Sequence, residues 1–302
     1  MSGVERRDML RLPSPVDTIV FGERRYHIKR DDLIDADFSG NKARKFHSIL
    51  EGDFPGVRRI VSYGSNQSNA MYSLSVLARM REWVFEYYTD HISTHLLENP
   101  IGNYKGALEN GAIFRVGESI DKKRYGEETL FVEEGGRQES SEYGLSILAD
   151  EIMEWKRIES IDSLTLFLPS GTGTTALYLR KYLPSEIDVI TTPCVGDAQY
   201  LRKQFTMLDE SGEHHPKIVD LPRKYHFGKP YGEFYEIWLK LRRECGIEFD
   251  LLYDPKGWLV LDSISDTIEG EILYIHQGGI KGNESLFERY IYKGLANRCD
   301  IA

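Results

Sequence analysis

The sequence predicts an α/β protein of two open, mostly parallel sheets with flanking helices. Two observations lead there. Strand-like runs alternate with segments of helical apolar spacing along most of the chain, which is how a parallel sheet covered on both faces reads. The alternation comes in two series, separated by Glu133-Glu134-Gly135-Gly136 and a long amphipathic stretch, with no internal repeat, low-complexity tract or long linker. The expected division is a larger domain from residues 1–52 and 141–302 and a smaller α/β domain from 53–140.

After a short N-terminal tail, DTIVFGERRYHIKRDD reads as two strands about a Gly-Glu turn, the second from Tyr26 to Lys29. From Asn41 to about Leu50, the residues Ala43, Phe46, Ile49 and Leu50 fall at helical spacing, until Pro55-Gly56 interrupts the pattern. The first series then expects a strand from Arg59 to Tyr63, a helix from Asn69 to Met80, a strand from Trp83 to Tyr88, a helix from Asn103 to Glu109, and strands from Ala112 to Val116 and Thr129 to Val132. The second opens with a helix from Ser141 to Ile158. It continues as strand Leu164 to Leu168, helix Gly173 to Tyr182, strand Asp188 to Thr191, helix Asp197 to Leu208, strand Lys217 to Val219 and helix Glu233 to Cys245. A last strand, Ile272 to His276, is ended by Gln277-Gly278-Gly279.

With 302 residues, 41% of them hydrophobic, the chain can bury two cores. A formal charge of −10 and a pI near 5.4 leave no basic face for a run of phosphates, which argues against nucleic acid and for a small-molecule partner. Cys194, Cys245 and Cys299 are far apart and odd in number, which fits a reducing compartment rather than a disulfide framework or a metal pair. No segment approaches the roughly 18 apolar residues of a membrane span, and MSGVERRDMLRLPSP has no apolar signal core. The expectation is a cytoplasmic protein with no membrane partner.

Four stretches could carry chemistry. In FSGNKARKF, Lys42 stands where a loop turns into a helix, in a field that favours its neutral amine, and a neutral lysine is a nucleophile toward aldehydes. Lys42, Arg44 and Lys45 could equally form the solvated face of an ordinary helix. In LFLPSGTGTTALYL, the residues Gly171, Thr172, Gly173, Thr174 and Thr175 join a strand to a helix, where backbone N–H groups bind a phosphate and glycine lets it come close. The same letters hold a G-x-G-x-x-A pattern, yet the next strand runs into Thr192-Pro193-Cys194 without the acid a dinucleotide ribose needs, and no Walker lysine follows. A purely structural turn is the other reading.

In SYGSNQSNAMYSL, Ser65, Asn66, Gln67, Ser68 and Asn69 offer more polar groups than one helix cap requires, so the surplus suits a ligand or an elaborate capping loop. Farther on, Tyr231 follows Lys229-Pro230, Tyr253 precedes Asp254-Pro255-Lys256-Gly257, and His276 precedes a Gly-Gly pair; loops at strand ends are where such sheets bind ligands, although each aromatic alone reads equally as core packing. His91 and His95, and the His214-His215 pair, lack the companions of a zinc site, so no metal is assigned.

In order along the chain, these stretches resemble the pyridoxal-phosphate enzymes of fold type II, the tryptophan-synthase-beta type, and within it the branch of 1-aminocyclopropane-1-carboxylate (ACC) deaminase and D-cysteine desulfhydrase. IKRDDL with SGNKARK resembles the segment of the cofactor lysine, GSNQSN the serine-asparagine loop, and EEGG with EYGLSILADEI the Gly-Gly turn and its helix. SGTGTTA resembles the phosphate loop, LLYDPKG the tyrosine segment and LYIHQGG the closing strand. The resemblance implies pyridoxal 5'-phosphate held by Lys42, with its phosphate on the N–H groups from Gly171 to Thr175. It implies Ser65 as the catalytic serine, and Asn66 and Gln67 beside it at positions that contact cofactor and substrate carboxylate. Tyr253 and Tyr231 would serve the carboxylate and proton transfers, and Asp254 would lie close to the pyridine nitrogen.

The implied reaction is deamination of a small amino acid to ammonia and a 2-oxo acid. β-Elimination from D-cysteine is the alternative within the enzyme class, and a binding protein without turnover the alternative outside it. A homodimer is implied on the same ground. Three departures bear on the substrate more than on the cofactor: Thr172 replaces a usual glycine, Pro255 intervenes before Lys256-Gly257, and the chain is shortened around Tyr231.

Overall fold

Alternating apolar residues in VDTIVF and RRYHIKR form an antiparallel pair, β1 (Val16–Phe21) and β2 (Arg24–Arg30), turned at Gly22. Phe21, Tyr26 and Ile28 all go inward. The computed structural model describes residues 10–301, so residues 1–9 of the expected N-terminal tail lie outside the described residues. The small sheet is wholly parallel and is built from β3 (Arg59–Tyr63), β4 (Val84–Thr89), β5 (Ile113–Val116) and β6 (Thr129–Phe131), in the order β5-β4-β3-β6. The large sheet joins the first pair to β7 (Leu164–Ser170), β8 (Asp188–Pro193), β9 (Lys217–Ile218) and β10 (Glu271–His276), in the order β1-β2-β10-β7-β8-β9. All its pairings after β1 are parallel. Every residue of β7 is buried, as a central strand covered on both faces requires.

The helical spacing expected from Asn41 to Leu50 resolves into two short helices, α1 (Gly40–Lys45) and α2 (His47–Glu51), because Phe46 leaves helical geometry at φ −98°, ψ 8°. Next come α3 (Asn69–Arg81), α4 (Thr94–Glu98), α5 (Gly102–Glu109), α6 (Glu142–Ile158), α7 (Thr174–Tyr182), α8 (Ala198–Thr206) and α9 (Gly232–Cys245). Two further helices, α10 (Asp254–Ile264) and α11 (Asn283–Tyr292), correct the reading of the last third. Asp254-Pro255-Lys256-Gly257 has the composition of a turn but opens α10, since proline suits a first helical turn. Gly257 is needed for packing: a Cβ there would lie 2.8 Å from the Tyr274 hydroxyl on β10.

One apolar cluster unites Ile60, Leu74, Leu77, Phe85 and Tyr87 of the small sheet's layer with Ile34, Phe38, Ala43, Phe46, Ile49 and Leu50. The segment carrying α1 and α2 therefore shares its core with the small sheet, while the expected division at residue 52 counts it with the larger domain. A buried ion cluster holds the other side of α1. Arg44 meets Asp31 at 2.8 Å and Glu151 of α6 at 2.7 Å, and Glu151 also takes Lys29 of β2 at 2.6 Å. Among the described residues, no helix is long and apolar enough to cross a membrane.

Candidate active site

α1 begins with a close backbone approach. Gly40 has φ 65°, and a Cβ on it would stand 1.9 Å from the Gln277 carbonyl oxygen, so only glycine seats this loop on the end of β10. Asn41 completes the seat: its N–H donates to Gln277 O at 3.0 Å and its Nδ2 to Gln277 Oε1 at 3.0 Å. Gln277 Nε2 in turn donates to Pro169 O at 2.6 Å, on β7. One glutamine thus fixes the start of the lysine helix against the strand that leads to the glycine loop. His276 braces the same turn. It is buried against Phe249, with Nε2 toward the Glu248 carbonyl and Nδ1 accepting the Gly278 N–H, and burial lowers its pKa.

The basic residues of α1 are not a solvated face. Arg44 and Lys45 are buried, and Lys42 is half-buried with its amine donating to Gly135 O at 3.4 Å. Desolvation pushes the Lys42 ammonium down to about 8, against a smaller opposing pull from Asp250. The weakened hold on its proton that a helix field led one to expect arises here from burial. Lys45 reaches the same Gly135 carbonyl at 3.2 Å, and burial together with Lys42 holds its pKa well below the ordinary lysine range.

Gly135 connects the remaining parts. A Cβ on it would lie 3.3 Å from Thr172 of the glycine loop, and one on Gly64, just before Ser65, would lie 3.0 Å from Glu134 Oε1. A Cβ on Gly171 would stand 3.3 Å from the Tyr253 ring. Lys42, Ser65, the loop from Gly171 to Thr175 and Tyr253 are thereby brought around one turn, which the sequence marked as a Gly-Gly break without showing what gathers there.

In the glycine loop, Gly173 takes φ 73° as the N-cap of α7, and no side chain caps that helix. Thr172 and Thr174 hydroxyls pair at 3.1 Å, while Thr175 Oγ1 is buried without a partner. Uncapped N–H groups, an orphaned hydroxyl and the nearby Lys45 amine form a site that an anion completes. With Lys42 beside it, the donor set fits a phosphate-bearing aldehyde.

The Ser65 loop is partly committed to its own structure. Ser65 is exposed and its Oγ accepts the Gln67 N–H at 3.3 Å. Ser68, not Ser65, caps α3, accepting from Ala70 and Met71. Asn66 Nδ2 donates to His91 O at 2.7 Å and Gln67 Nε2 to Ile101 O at 3.1 Å, which leaves Gln67 Oε1 buried and unpaired.

Tyr253 and Asp254 diverge. The Tyr253 ring faces Gly171 and packs on Phe227, with ring centroids 5.3 Å apart. Asp254 turns inward, where Oδ1 accepts the Tyr274 hydroxyl at 2.6 Å and Oδ2 the Asp250 N–H at 2.9 Å. Burial and the neighbouring Asp250 raise its pKa well above the carboxylate range. Tyr231 is not brought to this cluster. It heads α9, packs on Tyr225 and Phe234, and its hydroxyl accepts the His226 N–H at 2.9 Å. It thus steadies the loop that carries Phe227. Sequence reading passed over Lys45, whose i+3 spacing from Lys42 was the available signal, and Asp250, whose position three residues before Tyr253 gave only a weak turn signal.

Two mostly parallel sheets with flanking helices, a lysine helix seated on one and a glycine-rich loop at its neighbouring strand make up the fold of the pyridoxal-phosphate enzymes of fold type II, the tryptophan-synthase-beta type. Within that class, the chain is similar to two curated proteins named "Putative 1-aminocyclopropane-1-carboxylate deaminase". The one from Thermotoga maritima is 24% identical, over 92% of this chain and 97% of its own length. The one from Pyrococcus horikoshii is 26% identical, over 85% of each. A solved ACC deaminase homologue superposes with a TM-score of 0.78 at 21% identity, covering 96% of both chains. A solved O-ureido-L-serine synthase superposes at 0.68 and 15%, covering 95% of both. No family model matches the chain.

Proposed function

We propose that the chain is a pyridoxal-phosphate enzyme that deaminates a small amino acid in the manner of ACC deaminase, releasing ammonia and a 2-oxo acid. The observation that carries this reading is the convergence of a lysine amine with a pKa near 8, an uncapped glycine loop and a tyrosine ring on the turn at Gly135. The bound cofactor supplies an electron sink for the amino-acid carbons. Lys42 Nζ, neutral in a useful fraction at ordinary pH, would be the group that condenses with the aldehyde with loss of water and, when free, would hold and return a proton at the substrate carbons. The Lys45 amine and the N–H groups from Gly171 to Thr175 would hold the phosphate, whose charge favours protonation of that amine. Ser65 Oγ, exposed at the cleft, and the Tyr253 hydroxyl orient the substrate; Asn66 and Gln67 shape the loop that receives its carboxylate. Asp254, whose carboxyl burial and Asp250 hold well above the carboxylate range, would be the acid nearest the pyridine nitrogen.

A second reading, β-elimination of sulfide from D-cysteine, is supported by one observation: both oxygens of Asp254 are already bonded within the protein, so this acid is less free to engage the pyridine nitrogen. The deciding experiment adds pyridoxal phosphate to the purified protein, follows visible absorbance, and then supplies each substrate. We expect a visible band, 2-oxobutyrate from ACC and no sulfide from D-cysteine. Sulfide without 2-oxobutyrate transfers the assignment to the second reading. A protein that gains no band has no place in this class of chemistry.

A further inference from the structure

Asp250 lies outside every motif that points to the cofactor, yet it touches both halves of the cleft. It is 2% exposed. Its Oδ1 accepts the N–H groups of Leu252 at 2.7 Å and Tyr253 at 2.6 Å, and its own N–H is held by Asp254. This turn delivers the Tyr253 ring to Gly171. Its Oδ2 is buried with no completed hydrogen bond, a state that costs stability unless something uses it.

That oxygen faces Asn69, at the start of α3 in the small sheet's layer. Asn69 Nδ2 and Asp250 Oδ2 lie 2.5 Å and 2.6 Å from where a Cβ on Gly279 would stand, so the two groups are neighbours only because residue 279 has no side chain. Gly279 also takes φ 90°, which favours glycine independently. The contact continues beyond Asn69. Asn69 Oδ1 accepts Asn103 Nδ2 at 2.6 Å, the same Nδ2 donates to Gln67 O at 3.0 Å, and Gln67 is anchored to Ile101. Lys42, Asn69, Asn103, Gln277 and Gly279 line one cavity beside this chain of contacts.

We propose that Asp250 is a positioning residue which, by facing Asn69 across Gly279, ties Tyr253 on one half of the cleft to the Gln67 loop on the other and so sets the substrate carboxylate against the reacting carbons. The inference rests on reading the cleft as a pyridoxal-phosphate site, but the coupling itself is measurable without turnover. Asp250→Asn turns an acceptor toward Asn69 into a donor; adding Asn69→Asp restores one donor and one acceptor.

In the protein loaded with pyridoxal phosphate, Asp250→Asn should speed amide hydrogen exchange at residues 64–70 about tenfold, the effect of losing one buried polar contact. It should raise KM for ACC more than it lowers kcat, and the double variant should reverse both. Asn69→Ala tests the contact from the other side and should quicken exchange at 250–254. Faster exchange confined to the mutated side, or a double variant no better than Asp250→Asn, overturns the coupling. A wild-type protein that gains no visible band with pyridoxal phosphate overturns the cofactor reading instead, and the exchange result still decides whether the two halves are tied.

Discussion

Replacing Lys42 with methionine should stabilise the cofactor-free protein. The half-buried lysine carries an ammonium whose pKa falls from 10.5 to about 8 through desolvation. At ~1.4 kcal/mol per tenfold change in proton affinity, that fall corresponds to a penalty of at most about 3–4 kcal/mol on the folded state. The sign follows from which state holds the proton more tightly. Below about pH 8 both the folded and unfolded chains are protonated at this site, so the penalty is complete. Between about 8 and 10.5 the folded protein has released its proton while the unfolded chain keeps it, and stability rises with pH until the penalty is gone. Methionine has nearly the same length and no charge, so it removes the penalty without opening a cavity. The lost bond to Gly135 O is long, and Lys45 still occupies that carbonyl. Urea unfolding of cofactor-free wild type and Lys42→Met, at about pH 7 and about pH 10, measures the difference directly. We expect a gain of about 2–3 kcal/mol at the lower pH that shrinks toward zero at the higher. Equal stabilities at neutral pH, or a gain that does not narrow, would refute the account of a desolvated amine.

Two further outcomes test the architecture around it. Arg44→Met leaves Asp31 and Glu151 buried without their guanidinium and should cost about 3–5 kcal/mol in urea unfolding; a loss under ~1 kcal/mol would mean that this cluster does not clamp α1. Tyr253→Phe removes a hydroxyl 3.4 Å from the Cβ position of Gly171 and should lower kcat/KM for ACC about a hundredfold. Tyr231→Phe loses only an acceptor for the His226 N–H and should change kcat/KM less than about fivefold. The reverse ranking would return Tyr231 to the reacting centre.

Strands such as Arg59–Tyr63 and helices such as Asn69–Arg81 were legible because their signals are local: period-two or helical apolar spacing, bounded by polar caps. The opening of α10 was not, because Asp-Pro-Lys-Gly carries the same local chemistry whether it turns or starts a helix. The glycine loop and the Ser65 loop were legible as places where backbone and polar groups gather at helix starts. Their partners were hidden, since Gln277 reaches Asn41 across 236 positions of sequence.

What the sequence determined by itself is the alternation of elements, and hence two parallel sheets, together with the residue types from which a phosphate-binding lysine enzyme could be made. These follow from short-range periodicity and turn chemistry. What only the tertiary structure decided is which charges are buried. Arg44 and Lys45 read as well on a solvated surface as in a core, and their burial depends on Asp31, Glu151 and Gly135 arriving from distant segments. Desolvation depends on everything packed around a group, so the lowered pKa of Lys42 and the unpaired oxygen of Asp250 exist only once both sheets have closed around them.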